Sequence, residues 1–389
     1  MIIPQVFYST RGTPISAYHR IRELIKHGHE VDVLTYKPGA EPPDLAAARI
    51  YRSHGPHFAT LIKAGPSRLK IWFDILLFFN LIYRLARRRY DALYAHEEGA
   101  FLARIVGGIF RTPYVYDMHS SLPRQIREWG FSKSQWVVNL FAWVERFSVG
   151  GARVVVAISP AVEQVARSVR KDAPVVVIVN HYEPPPGSEV LSGAAVRARH
   201  GIDPRAKVIA YTGSFVALQA LDMLIAAAPI VRSQVPDAKF LLVGGEPTEI
   251  EKLSALAQKF GVADCFVFEQ TRPQREMAGY MDAADCLVSP RVSGINPPGK
   301  LLSYLASGKP VVATDTLVHN QLLDSTNAIL TEPTPQRFAE GVITALTDSV
   351  RSAQVVSGAH AFLNAYCSAE ARRNAYRTLT SRLLDATPS

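Results

Sequence analysis

Lys300 stands at the junction between a stretch that cannot hold regular structure and one that can. Gly294, Pro297, Pro298 and Gly299 interrupt any strand or helix before it. After it, Lys300–Ser307 places Leu301, Leu302 and Leu305 at helical spacing, and Gly308 sits where a helix end wants a residue free to adopt positive φ. The flanking runs Cys286–Ser289 and Val311–Ala313 read as buried strands. A loop from the carboxyl end of a parallel strand into a helix aims unpaired N–H groups and the positive helix end at its contents. An anion is the natural occupant, and the Lys300 ammonium adds a full charge. Every strand, loop and helix unit shares this outline, so the pattern alone leaves open both a phosphate site and a connection that binds nothing.

A second concentration of ionisable groups lies in the first half. Asp91–Ala95 reads as a strand running into His96, Glu97, Glu98 and Gly99, and Pro113–Tyr116 as a strand running into Asp117, Met118 and His119. Polar groups just past short buried strands collect at the carboxyl edge of a parallel sheet, where open α/β folds bind ligands. Each imidazole alone reads as a hydrogen-bonded turn residue sooner than a catalytic one. Two strand ends carrying such clusters strengthen the case for a site.

The elements that must position these groups alternate regularly. Gln5–Thr10 reads as the first strand, Arg11-Gly12-Thr13-Pro14 as its loop, then a helix to about Lys26, a turn at Gly28-His29 and a second strand, Glu30–Thr35. One glycine in that loop, where three would be needed, rules out the dinucleotide fingerprint. A helix over Ser132–Gly150, a strand over Val154–Ile158, Ser159 as helix cap with Pro160 behind it, and a strand over Val175–Val179 complete the half. The three prolines of His181–Ser188 mark a linker. The pattern then restarts with Lys207–Tyr211, a turn at Thr212-Gly213-Ser214-Phe215, a helix over Leu218–Val235 and a strand over Phe240–Gly245. It continues through a helix over Glu249–Phe260, a strand over Cys265–Phe268 and a short helix over Arg272–Met281. This predicts an α/β chain of two Rossmann-like, doubly wound domains facing across a cleft, residues 1–182 and 183–389. The final segment, 336–384, reads as helical, its last helix a candidate to return to the first domain.

Composition agrees. A chain of 389 residues with 48% hydrophobic content can build two cores. Cys265, Cys286 and Cys367 are too few and scattered for a disulfide framework or a zinc site, which points to a reducing cytoplasm. The opening MIIPQVFYST reads as a strand and not as a secretory signal. A net charge of +9 would suit nucleic acid, anionic lipid or anionic substrates. Basic residues interleaved with aromatics for stacking single strands occur nowhere outside 71–89, so nucleic acid is not expected. Ile71–Tyr83 is strongly apolar but too short to span a bilayer, and Arg84, Arg87, Arg88 and Arg89 follow it. That segment fits either a peripheral membrane contact or a core helix with a solvated end.

Several stretches together resemble the GT-B glycosyltransferases of the large retaining family 4, and the likeness covers nearly the whole chain. They are RGTPISAYHRIRELIKHGHEVDVLTY, PYVYDMHS, VIAYTGSFVALQALDMLI, LLVGGEP and SPRVSGINPPGKLLSYLASGKPVVATD. The resemblance implies a hexose transferred with retention from a nucleotide diphosphate sugar to a glycan or lipid-linked acceptor, in polysaccharide or glycolipid synthesis. It places the enzyme in the cytoplasm, on the inner face of the membrane where peripheral contact applies. It implies no metal or other cofactor, and the sequence carries no Asp-x-Asp donor-metal motif.

By position, Gly12 resembles the glycine whose backbone approaches the diphosphate and sugar, His119 the histidine near the sugar hydroxyls, and Gly213 the turn glycine beside the diphosphate. Lys300 and the N–H groups after Asn296, that of Gly299 included, would lie against the phosphates, and Ser303 falls where a carboxylate usually grips the ribose. Glu97, Glu98 and Asp117 fall on the acceptor side. The chain departs from the family at four of its places: Ser214 and Gln219 stand where an Arg and a Lys usually face the diphosphate, and Ile295 and Ser303 replace a pair of glutamates. Losing two cations beside a leaving diphosphate removes charge stabilisation. The departures keep two other readings open, a non-catalytic GT-B scaffold binding a glycan or partner, and a nucleotide-sugar epimerase.

Overall fold

Among the described residues, thirteen short strands form two sheets in which every pairing is parallel. The structure is a computed structural model and describes residues 1–7, 13–37, 39, 45–53, 68–128, 134–179, 191–293 and 297–384. The first sheet comprises β1 (Ile2–Ile3), β2 (Asp32–Thr35), β3 (Arg49–Arg52), β4 (Leu93–His96), β5 (Tyr114–Met118), β6 (Val154–Ala157) and β7 (Val175–Val177), in the order β3-β2-β1-β4-β5-β6-β7. The second comprises β8 (Lys207–Thr212), β9 (Ala238–Gly245), β10 (Phe266–Gln270), β11 (Cys286–Ser289), β12 (Val311–Thr314) and β13 (Ile329–Thr331), in the order β10-β9-β8-β11-β12-β13. Both orders reverse direction once, between β1 and β4 and between β8 and β11. In such sheets the crevice at the strand carboxyl ends beside that reversal is the natural ligand site.

The inner strands are apolar without alternation because helices cover both faces of each sheet. Val154, Val155, Val156 and Ala157 are all buried. Phe73, Leu77, Leu81, Ala103, Val106 and Val149 pack on one face of the first sheet. Ala17, Tyr18 and Ile21 of the helix Thr13–Lys26 pack on the other. The chain divides into two units, residues 1–180 with 369–389, and residues 181–368. The last helix, Ala369–Leu384, belongs with the first unit: Tyr376 and Leu379 pack with Tyr94, Val115 and Val154, and Arg382 donates to the Val175 carbonyl at 2.9 Å.

The structure moves several expected boundaries. The first strand is Ile2–Ile3, and residues 5–7 of the expected Gln5–Thr10 are irregular, Pro4 having no N–H to continue the ladder; residues 8–10 lie outside the described residues. The edge strand Arg49–Arg52 and the short strand Ile329–Thr331 carry no apolar run long enough to be read in advance. The helix expected over Leu218–Val235 is a 3₁₀ turn, Ala217–Gln219, and a helix, Leu221–Gln234, separated by Ala220 in the left-handed conformation at φ 51°. Asp117 and Met118 lie inside β5, not after it. The linker His181–Ser188 falls outside the described residues.

Candidate active site

In the second unit, the carboxyl ends of β8 and β11 and the helix Lys300–Ala306 converge. Gly213 turns the chain after β8 at φ +133°, a conformation closed to most side chains, while its N–H still reaches the Val243 carbonyl at 2.8 Å. Tyr211 steadies the turn by donating its hydroxyl to the Ser214 carbonyl at 2.8 Å. Gly244, at φ +116°, lets the next loop press against it: a Cβ there would stand 2.5 Å from the Gly213 oxygen. The helix is tied to β8 by Tyr304, whose buried hydroxyl accepts from the Thr212 N–H at 2.7 Å.

Lys300 lies in this corner. Its Nζ is 3.4 Å from the centroid of the Tyr211 ring, and a Cβ built on Gly213 would stand 3.6 Å from it. The residue is half-buried, but the nitrogen itself is closed off from water and has no hydrogen-bond partner among the described residues. Burial, with the Arg291 charge adding to it, holds the ammonium well below the usual lysine range. Such a cation is costly to leave unpaired, and an anion beside it would remove the cost. The helix has seven residues, so the side-chain charge outweighs its short dipole.

Ser214 is exposed on the turn. Gln219 ends the 3₁₀ turn with a buried side-chain oxygen that lacks a partner. Gly299 is exposed at the helix start with nothing described within 4 Å of where a Cβ would stand, and Ser303 follows Lys300 by three residues on the same helix, half-buried. Asn296 lies outside the described residues, as does Gly12.

In the first unit, the parallel register places His96 directly beside Asp117. His96 Nδ1 is 3.0 Å from Asp117 Oδ2, and His119 Nε2 is 3.4 Å from the same oxygen without closing a hydrogen bond. The two imidazoles meet edge to face at 4.3 Å. A carboxylate at Nδ1 makes His96 Nδ1–H the donor and leaves Nε2 free to accept. On the other side of Asp117, Arg20 Nε lies 3.7 Å from Oδ1. Burial alone would raise the Asp117 carboxyl, but the attraction of His119 once that ring takes up a proton, the fixed charge of Arg20 and the His96 hydrogen bond hold it well below the usual range. Burial and the neighbouring His96 push His119 down to about 4, so its ring is neutral at pH 7.

Glu97, just past β4, is a buried non-glycine residue at φ 49°. Strain of this kind gathers at functional positions. Burial first, then the charge of Glu98, holds its carboxyl well above the usual range. Glu98 itself is exposed enough to pair with Lys70.

His96, Asp117 and His119 also form a group able to ligate a metal. The fit is poor, because the fixed guanidinium of Arg20 already neutralises the one carboxylate.

The structure therefore gathers Lys300, Gly213 and Tyr211 at one strand edge, and His96, Glu97, Asp117 and His119 at another. Sequence reading missed Arg20, Tyr211, Tyr304 and His319. Tyr304 had a signal, since it follows Lys300 by one helical turn. Arg20 had none, being nearly a hundred positions from Asp117 in the chain. His319 bridges β11 and β12: its Nε2 meets the buried Ser289 hydroxyl at 2.8 Å and its Nδ1 the Thr314 carbonyl at 2.9 Å. Thr314 in turn donates to the Arg291 carbonyl at 2.5 Å, anchoring the start of the loop that leads to Lys300.

A family model for the glycosyl transferase 4-like domain matches residues 11–181, and one for glycosyl transferases group 1 matches residues 206–348. A GDP-mannose-dependent alpha-(1-6)-phosphatidylinositol monomannoside mannosyltransferase of Mycolicibacterium smegmatis is 36% identical over 126 residues, 31% of this chain and 32% of that protein. A D-inositol 3-phosphate glycosyltransferase of Xylanimonas cellulosilytica is 28% identical over 189 residues, 48% of this chain and 45% of that protein. The chain thus spans a third to a half of the length of these curated relatives. Among solved structures, sucrose-phosphate synthase from Thermosynechococcus elongatus matches with a TM-score of 0.71 at 19% identity, over 99% of this chain and 98% of that one. Anabaena HepE in complex with UDP matches with a TM-score of 0.70 at 18% identity, over 96% and 98%. These neighbours share the two Rossmann-like domains of the GT-B fold. With its two halves matched in turn by the two models, the chain belongs to the group 1, family 4-type glycosyltransferases.

Proposed function

We propose that this chain transfers a hexose from a nucleotide diphosphate sugar to a glycan or lipid-linked acceptor in the cytoplasm, with retention at the anomeric carbon. The observation that carries the reading is the ammonium of Lys300, shielded from water and without a partner beside the Gly213 turn. The names of related proteins support it: one relative is dependent on GDP-mannose, and HepE has been crystallised with UDP and with UDP-glucose.

In this reading the acceptor hydroxyl attacks from the face the leaving diphosphate departs. The sugar–phosphate bond breaks as the acceptor oxygen bonds to the anomeric carbon and its proton passes to the departing phosphate oxygen; positive charge develops on the ring and negative charge on the diphosphate. Lys300 meets the negative charge, and the Ser214 hydroxyl and Gln219 amide supply hydrogen bonds where relatives use cations. His119, neutral and held against Asp117, positions the sugar, and Glu97 and Glu98 lie on the acceptor side. No side-chain nucleophile and no metal enters any step.

A screen of UDP-, GDP- and ADP-sugars, read by nucleotide release with and without acceptor, tests the reading. Release that accelerates with acceptor in the wild type and falls at least a hundredfold in Lys300→Ala is expected. No release with any donor would favour the scaffold reading, which the loss of two cations at Ser214 and Gln219 motivates. Sugar isomerisation without acceptor would favour an epimerase.

A further inference from the structure

The helices Arg68–Arg87, Gly99–Phe110 and Gln135–Gly151 lie side by side on one face of the first sheet, the middle one touching both others. Their inner faces share one core, where Phe73, Leu77, Leu81, Val106 and Val149 meet. A surface helix should turn polar on its opposite face. These do not. On the first helix Ile71, Ile75, Phe79 and Tyr83 repeat every fourth residue along the water-facing side, 44–62% exposed, with Trp72 beside them. On the third, Trp136, Leu140 and Trp143 point outward, Trp136 at 71% exposure, and Ile109 of the middle helix is 67% exposed. Apolar outer faces on three adjacent helices exceed the scattered exposure normal for a protein in water.

The charges that the three helices themselves expose have one sign, the exposed Asp91 and the Glu98 paired with Lys70 standing just beyond their ends. Asp74 and Glu145 are the only acidic residues of the three helices, and both are engaged inward: Asp74 accepts the Tyr36 hydroxyl, and Glu145 accepts the Leu122 N–H at 2.8 Å. At the end of the first helix Arg87 lies 4.5 Å over the Tyr83 ring, and Arg87 and Arg89 are exposed with no carboxylate partner among the described residues. Arg146 is exposed on the third helix. Three of the chain's four tryptophans lie on this face. Tryptophan and tyrosine suit the boundary between headgroups and acyl chains, and arginine suits anionic headgroups. No helix among the described residues is long and apolar enough to cross a membrane, so any contact made here is lateral.

We propose that the outer face of these three helices docks on an anionic lipid bilayer, with Trp72, Trp136 and Trp143 entering the headgroup boundary and Arg87 and Arg89 meeting lipid phosphates. This goes beyond the helix near 71–89 by assigning half of the surface to residues 135–151. It does not depend on the donor site, so it stands or falls separately from the transferase reading.

Sedimentation of the protein with vesicles of phosphatidylcholine, alone and mixed with phosphatidylglycerol at roughly a third of the lipid, tests it, since arginines beside a bilayer are drawn to anionic headgroups. Binding only to the anionic vesicles is expected, with a blue shift of tryptophan emission. A Trp136→Ser, Trp143→Ser double variant, whose side chains are largely outside the core, should lose binding about tenfold while keeping its melting temperature. Arg87→Glu with Arg89→Glu should abolish the preference for anionic lipid. Absence of wild-type binding at low salt, or equal binding by the tryptophan double variant, overturns the proposal. Self-association on a sizing column that the same tryptophan changes abolish, without vesicle binding, replaces the bilayer with a second copy of the chain.

Discussion

Lys300 holds its ammonium 3.4 Å from the centre of the Tyr211 ring, with no hydrogen-bond partner among the described residues. The ring face compensates only part of the lost hydration. Two consequences follow from the same cost. Lys300→Met should raise the stability of the ligand-free protein by about 1 kcal/mol in urea denaturation while removing nucleotide binding. Because burial lowers the lysine's pKa and only the charged form attracts phosphate, UDP or GDP affinity should weaken as pH rises, at lower pH than for an ordinary lysine. Isothermal titration at pH 6.5 and 9 checks this, and a pH-independent affinity in the wild type would remove Lys300 from the site.

Asp117 and Arg20 form a buried pair, 4% exposure for the arginine and none for the carboxylate. Asp117→Asn leaves a buried guanidinium without its counter-charge and should cost about 3 kcal/mol of stability. Adding Arg20→Met should recover most of that loss in the same urea titration. If the double variant is no more stable than the single, the pairing is not what holds Asp117.

Acid should destabilise the protein in a window set by its buried imidazoles. Burial lowers His319 to about 4, with Lys300 and Arg291 nearby adding to it, and burial with His96 lowers His119 to about 4. Both are depressed, so the unfolded chain takes up these protons near pH 6.5 while the folded chain resists. Stability is therefore present above about pH 6.5 and is lost as pH falls toward 4, by up to roughly 3 kcal/mol per histidine. His319→Gln should flatten this decline. Parallel urea midpoints at pH 7.5 and 4.5 measure it, and an unchanged slope in the variant would assign the acid sensitivity elsewhere.

Gly244→Ala should damage both folding and the donor site. The new Cβ would fall 2.5 Å from the Gly213 oxygen at a residue whose φ is +116°, so the Gly213 turn must move. A loss of about 2 kcal/mol in stability and a weaker nucleotide-induced thermal shift are expected. The exposed Gly201, at φ +61° with nothing within 4 Å, serves as control and should leave nucleotide binding intact when changed to Ala.

The sequence by itself determined the class of fold and the strand, loop and helix order around Lys300. Cys286–Ser289 forms the strand read for it, and Gly308 ends the following helix at φ +72°, because apolar runs, prolines and glycines act locally. Local signals also placed Lys300 at the first turn of its helix. They could not show that its ammonium is shielded and unpaired, since Tyr211 and Gly213 reach it only when β8 lies beside β11. The same holds for Asp117. Adjacent register with His96 and the approach of Arg20 from a distant helix turn an ordinary strand carboxylate into a buried ion that orients the His96 imidazole and lies beside that of His119. Tertiary structure alone decided that the arginine-ended helix has two apolar sides, one in the core and one facing outward with Trp136 and Trp143. Periodicity counts apolar positions but does not say how many of them the rest of the chain will cover.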